Sequence, residues 1–158
     1  MPAELSTQQL REALDKHLSD RLFQGDPSQP NLFFYPAVVS CDGPSRRVTY
    51  RYKTYEWMRN PNGVVHGGVI ASILDVSMGI TTRAYTEKFT PTINITINFA
   101  RPIPVGSDIL VTIRAAIMGR TSSQLTAELT LADSPEKAAV TAMGVYYTAR
   151  DVREGTKA

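Results

Sequence analysis

A chain of 158 residues is long enough to bury a sizeable core within one domain. Its composition, 42% hydrophobic and 20% charged, is that of a soluble globular protein rather than a membrane-spanning or disordered one. A net charge of +2 with scattered lysines and arginines offers no patch for a nucleic-acid backbone, and one cysteine, Cys41, excludes an internal disulfide or a cysteine-rich metal site.

The first residues, Met1-Pro2-Ala3-Glu4-Leu5, lack the basic and apolar regions of a signal peptide, so a cytoplasmic location is expected. Ser6 to Phe23 reads as an amphipathic helix. Ser6 is the N-cap with Gln9 three residues on, Leu10, Leu14, Leu18 and Leu22 form the apolar stripe, and Gly25-Asp26-Pro27 ends it. His17 is expected on its solvated surface. Two strand-like runs follow, Leu32 to Ser40 and Arg47 to Met58, separated by Asp42-Gly43-Pro44. Pro36 inside the first marks an edge strand or a break there. In the second, Val48, Tyr50, Tyr52 and Thr54 alternate with Arg47, Thr49, Arg51, Lys53 and Tyr55, the pattern of a half-buried strand.

Asn60-Pro61-Asn62-Gly63 is a dense turn signal, and Gly67 to about Tyr85 is one long, mostly apolar helix. The remainder is β. Thr92 to Ala100 alternates, with Ile93, Ile95, Ile97 and Phe99 on one face and Thr92, Asn94, Thr96 and Asn98 on the other. Strands at Ile109–Met118, Gln124–Ala132 and Ala138–Thr148 complete the set. Residues 1–30 are read as an N-terminal helix and linker, 31–150 as the main domain, and 151–158 as a flexible tail. A helix apolar nearly all round must be enclosed. The predicted class is therefore α+β, an antiparallel sheet of five to seven strands wrapped around one long central helix, with an extra N-terminal helix. That is the hotdog fold.

Within the central helix Gly67, Ala71, Asp75 and Gly79 recur at four-residue spacing, with Gly68 and Ser72 beside them. Tight packing explains the small residues but not a carboxylate flanked by Leu74 and Val76, which is costly unless compensated or used. The first amides of a helix lack internal partners and sit at its electropositive end. With no side chain at Gly67, a ligand oxygen can approach that amide, which suits an oxyanion developing on a carbonyl under attack. Eight residues of helix separate Gly67 from Asp75 by about 12 Å, too far for both to serve one carbonyl from one chain. Two copies packed antiparallel about a two-fold axis would bring one chain's Asp75 near the other's Gly67, so a dimer with shared sites is predicted.

Asn60, His66-Gly67-Gly68, Asp75 and Gly79, with Ile97-Asn98-Phe99-Ala100-Arg101-Pro102 farther on, resemble the signature of the phenylacetate-pathway (PaaI-like) branch of hotdog thioesterases. The resemblance runs from about residue 33 to residue 149. It implies an acyl-CoA or aryl-CoA thioesterase, with coenzyme A entering only as part of the substrate and with no metal or other cofactor. By the same resemblance Asp75 is the general base or nucleophile, and the Gly67 N–H polarises the carbonyl. Asn60 orients carbonyl or water, His66 supports the loop, and Thr92 holds water near the carboxylate. Gly68, Arg101, Arg120 and Thr121 are the implied substrate contacts, the last two where relatives meet the nucleotide. Asn94 departs from the family, many members of which carry aspartate there. Homodimers pairing into tetramers are the implied assembly. Two other readings stay open, an enoyl-CoA hydratase or dehydratase using His66 and Asp75, and a non-catalytic acyl-CoA-binding module.

Overall fold

The computed structural model describes residues 4–19 and 34–149. Helix α1 spans Thr7–Ser19 and helix α2 spans Gly67–Thr86. The strands are β1 (Ala37–Asp42), β2 (Arg47–Lys53), β3 (Thr92–Phe99), β4 (Asp108–Met118), β5 (Ser122–Leu131) and β6 (Ser134–Tyr147). They form one antiparallel sheet in the order β1-β2-β4-β5-β6-β3, so β1 and β3 are its edges. β1 starts directly after Pro36, whose missing amide hydrogen suits an edge. The six strands curl over α2, which gives the hotdog architecture expected from the sequence.

The alternation in β2 is realised. Val48, Tyr50 and Tyr52 are buried, whereas Arg47, Arg51 and Lys53 point to solvent. The two tyrosines do more than fill space. The Tyr50 hydroxyl pairs with Thr81 Oγ1 at 2.8 Å and the Tyr52 hydroxyl with Ser77 Oγ at 2.7 Å. Those bonds pair the Ser77 and Thr81 hydroxyls that α2 buries against the sheet. The strand stops at Lys53, and Glu56–Met58 forms a 3-10 turn where the sequence suggests a continuous strand. The buried Thr54 hydroxyl, bonded to the carbonyls of Pro104 and Ser107, turns the chain toward the loop before α2.

Helix α1 begins as expected. The Ser6 N–H donates to Gln9 Oε1 at 2.9 Å and the Gln9 N–H to Ser6 Oγ at 3.2 Å, a reciprocal capping box. Residues 20–23 of the predicted helix and the 25–27 terminator lie outside the described residues. Leu10 and Leu14 are fully buried in the same core as Ile73, Leu74, Val111 and Leu125, each contributing about 1.5–3 kcal/mol relative to exposure. Gly43 sits so close to the start of α1 that a Cβ there would lie 2.1 Å from the Leu5 carbonyl oxygen. His17 corrects the sequence reading. It is 4% exposed, not solvated, because it lies three residues beyond Leu14 on the buried face.

The second correction concerns β3. A register shift between Thr92 and Asn94 interrupts its pairing with β6. This bulge turns Thr92 from the outer face, where alternation alone puts it, onto the helix side. Beyond it Ile95 and Ile97 pack against the core as the alternation predicts.

Candidate functional site

One stripe of α2 stays incompletely covered. Gly67, Ala71, Ser72, Asp75, Val76 and Gly79 are half-buried, whereas Ile70, Ile73, Leu74, Ser77 and Met78 on the opposite side are buried. The stripe runs beside edge strand β3, where Ile93 is 57% and Phe99 54% exposed. Two open clefts lie along it. Asn60, Gly67, Ile70, Phe99, Arg101 and Ile103 line the first, of about 340 Å³. Ser72, Asp75, Thr92 and Asn94 are among the residues lining the second, of about 530 Å³.

The first cleft is built around the start of α2. His66 is the N-cap, and its Nδ1 accepts the Gly68 N–H at 2.9 Å. The ring proton therefore belongs on Nε2 (a tautomer assigned from this bond). The His66 carbonyl accepts from Val69 at 3.0 Å and Ile70 at 3.2 Å. Among the described residues, nothing accepts from the Gly67 N–H, which is left at the positive end of a helix spanning Gly67–Thr86. A Cβ at Gly67 would meet the Phe99 ring only in ordinary van der Waals contact, at 3.4 Å.

The loop carrying Asn60 is tightly held. Asn60 Oδ1 accepts from the N–H groups of Asn62 at 2.9 Å and Val64 at 3.3 Å. The Val65 N–H donates to Ile103 O at 2.8 Å, and the His66 N–H to Met58 O at 2.7 Å. With its oxygen occupied, Asn60 presents only its side-chain N–H₂ as a donor for a bound molecule. The Arg101 guanidinium, at the edge of the same cleft, donates to the Ala138 carbonyl.

The second cleft is organised by the Asp75 carboxylate. Thr92 Oγ1 donates to Asp75 Oδ1 at 2.6 Å, and the Tyr146 hydroxyl donates to the same oxygen at 2.9 Å while lying 3.1 Å from the Asp75 main-chain carbonyl. Thr92 and Tyr146 are cross-strand partners on β3 and β6. Burial, reinforced by the facing carboxylate, pushes the Tyr146 phenol far above its ordinary range, so it remains a donor wherever the protein is folded. Asp75 is half-buried rather than enclosed, since its cleft opens at the sheet edge. Tyr146 is absent from the sequence-derived site. Asn94 is exposed, and its Oδ1 lies 3.4 Å from Thr96 Oγ1.

The structure thus brings Asn60, Gly67 and Arg101 together, and Asp75 and Thr92 together, but in different clefts. Gly68 is exposed beside the first. Arg120 and Thr121 belong to neither. They sit on the β4–β5 turn, where Arg120 lines a cavity of about 690 Å³ with Lys16, Tyr85 and Lys88 near the far end of α2. The Thr121 carbonyl accepts from the Thr148 N–H at 2.8 Å. No group of three or more His, Cys, Asp or Glu side chains converges in a metal-binding arrangement among the described residues. None of their helices is long and apolar enough to cross a membrane.

Residues 62–138, which include both halves of α2's stripe and most of the sheet, match the model of the thioesterase superfamily. A 49-residue stretch is 41% identical to acyl-coenzyme A thioesterase THEM4 of Rattus norvegicus, covering 31% of this chain and 20% of that relative's length. Among solved structures, the E. coli PaaI protein from the phenylacetic acid degradation operon superposes with a TM-score of 0.73 at 15% identity, covering 93% of this chain and 98% of that one. A Streptococcus mutans protein bound to acetyl CoA superposes with a TM-score of 0.64 at 20% identity, over 71% of this chain and 86% of the other.

Proposed function

We propose that the chain is a PaaI-like member of the thioesterase superfamily, whose model matches residues 62–138 on this hotdog fold, and that it hydrolyses acyl- or aryl-CoA thioesters to the free acid and CoA. The observation that carries the reading is the pairing, on one half-covered helix stripe, of a free helix-end amide at Gly67 with a hydrogen-bonded carboxylate at Asp75.

In this reading the thioester carbonyl accepts from the Gly67 N–H, with the Asn60 amide beside it. His66 fixes the helix end by capping Gly68. As charge builds on the carbonyl oxygen, the positive end of α2 stabilises it. Asp75 from the facing subunit acts in one of two ways. As general base it takes a proton from water as the water oxygen attacks. As nucleophile it forms an anhydride that water then opens. In either case the tetrahedral intermediate collapses with loss of the CoA thiolate, which is then protonated. No step calls on a metal or a second cofactor.

The site requires two chains because about 12 Å of helix separates its halves. A second copy laid antiparallel on the small-residue stripe would bring each Gly67 to its partner's Asp75. It would also cover Ile93 and Phe99 and pair the open edge of β3. Further pairing of such dimers into a tetramer is the family's implied assembly. Arg101 beside the Gly67 cleft and Arg120 on the β4–β5 turn are the proposed contacts for CoA phosphates. The hydratase reading would need His66 as an acid or base, whereas the cap supports a positioning role for that ring.

Release of free thiol from a panel of short aliphatic, aromatic and long-chain CoA esters tests the function. Turnover of at least one class at a rate within the ordinary range for enzymes, about 1–10³ per second, is expected. Thiol release no faster than spontaneous hydrolysis across the whole panel would contradict it.

A further inference from the structure

Both side-chain donors to Asp75 converge on one oxygen. Thr92 Oγ1 and the Tyr146 hydroxyl bond Oδ1, whereas Oδ2 receives no hydrogen bond among the described residues. A carboxylate is otherwise free to rotate, since its terminal torsion is broad and two-fold. Two bonds from separate strands remove that freedom. The donors are themselves held: Thr92 by the bulge that turns it inward, and Tyr146 by complete burial. Its ring occupies space left by Gly144, where a Cβ would lie 2.8 Å from Tyr146 Cε2 and 2.9 Å from Met78 Sδ. The hydroxyl also lies close to the Asp75 main-chain carbonyl, at 3.1 Å, which ties the ring to the helix as well as to the side chain.

We propose that Tyr146 is a positioning residue for Asp75, acting with Thr92 to lock Oδ1 so that Oδ2 is the oxygen that takes the proton from water or attacks the thioester. This deepens the thioesterase reading and rests on it. The bonded oxygen has lone pairs engaged by two donors, and the other oxygen keeps its lone pairs available on a residue that lines the open cleft. Such preorganisation acts on the chemical step, because a carboxylate already aimed need not be reoriented as the reaction proceeds.

Tyr146→Phe keeps the ring and its packing and deletes only the hydroxyl, and Thr92→Val keeps the shape of its side chain. Each is expected to lower kcat about tenfold, the effect of one charge-assisted hydrogen bond, with KM changed less than about twofold. The double variant, with Asp75 free to turn, should lose more than the product of the two single losses. In crystals of the double variant the Asp75 side chain should occupy more than one orientation. A Tyr146→Phe enzyme with wild-type kcat, or one whose loss lies in KM alone, would overturn the proposal while leaving the thioesterase reading standing. A single unchanged Asp75 orientation in the double variant would overturn it independently of turnover. Absence of thioester hydrolysis by the wild type would instead fall on the proposed function.

Discussion

Asp75→Asn is expected to lower kcat by about 10²–10⁴-fold, the range for removing a general base, without unfolding the protein. Asparagine has nearly the shape of aspartate, and its side-chain oxygen can still accept from Thr92 Oγ1 and the Tyr146 hydroxyl, as Asp75 Oδ1 does at 2.6 and 2.9 Å. What is lost is the negative charge and the second acceptor oxygen, the ones the chemistry needs in either mechanism. Thermal denaturation should move little, because the site is a half-buried cleft and not core. The measurement is steady-state hydrolysis of the best substrate alongside a melting curve. An Asp75→Asn enzyme within tenfold of wild type would remove Asp75 from the chemistry.

Gly67→Pro should lower kcat by about 10²–10³-fold, the effect of deleting one oxyanion donor. It removes the amide hydrogen at a position where the fold tolerates proline. Gly67 is the first residue of α2, where proline's fixed φ is favourable and its missing N–H breaks no helix bond. The preceding residue must be extended, and His66 already is, at φ −63° and ψ 133°. Gly67→Ala is the companion. It retains the N–H and brings a methyl only into ordinary contact with Phe99, at 3.4 Å. A proline variant as active as the alanine variant would show that the helix-end amide does not polarise the carbonyl.

Local signals carried much of the fold. Ser6 and Gln9 announce a capping box and form one. The alternation through Val48, Tyr50 and Tyr52 is visible in the sequence and realised in β2. The long apolar segment after His66 is the central helix. Failures arise where residue type outweighs local spacing or where a neighbour distant in sequence decides. His17 looks polar and surface-bound by residue type, yet the four-then-three spacing Leu10, Leu14, His17 places it on the buried face. Family resemblance places Thr92 near Asp75, whereas simple alternation puts it on the opposite side. A one-residue bulge, which no local residue pattern marks, reconciles the two. Tyr146 was invisible because its meaning depends on β3 and β6 pairing so that two hydroxyls meet one carboxylate 71 residues away from it. The separation of Gly67 from Asp75 needed no structure at all, since helix rise alone sets it at about 12 Å.

That separation carries the central claim, a thioesterase site assembled from two chains, and subunit complementation tests it most directly. Asn60→Ala and Asp75→Ala chains, each inactive alone, are mixed in equal amounts under conditions that exchange subunits, with hybrid formation verified by native mass spectrometry. Half the dimers are then hybrids, each with one intact and one doubly disabled site, so activity should recover to about a quarter of the wild-type value. No recovery in verified hybrids would contradict the shared site.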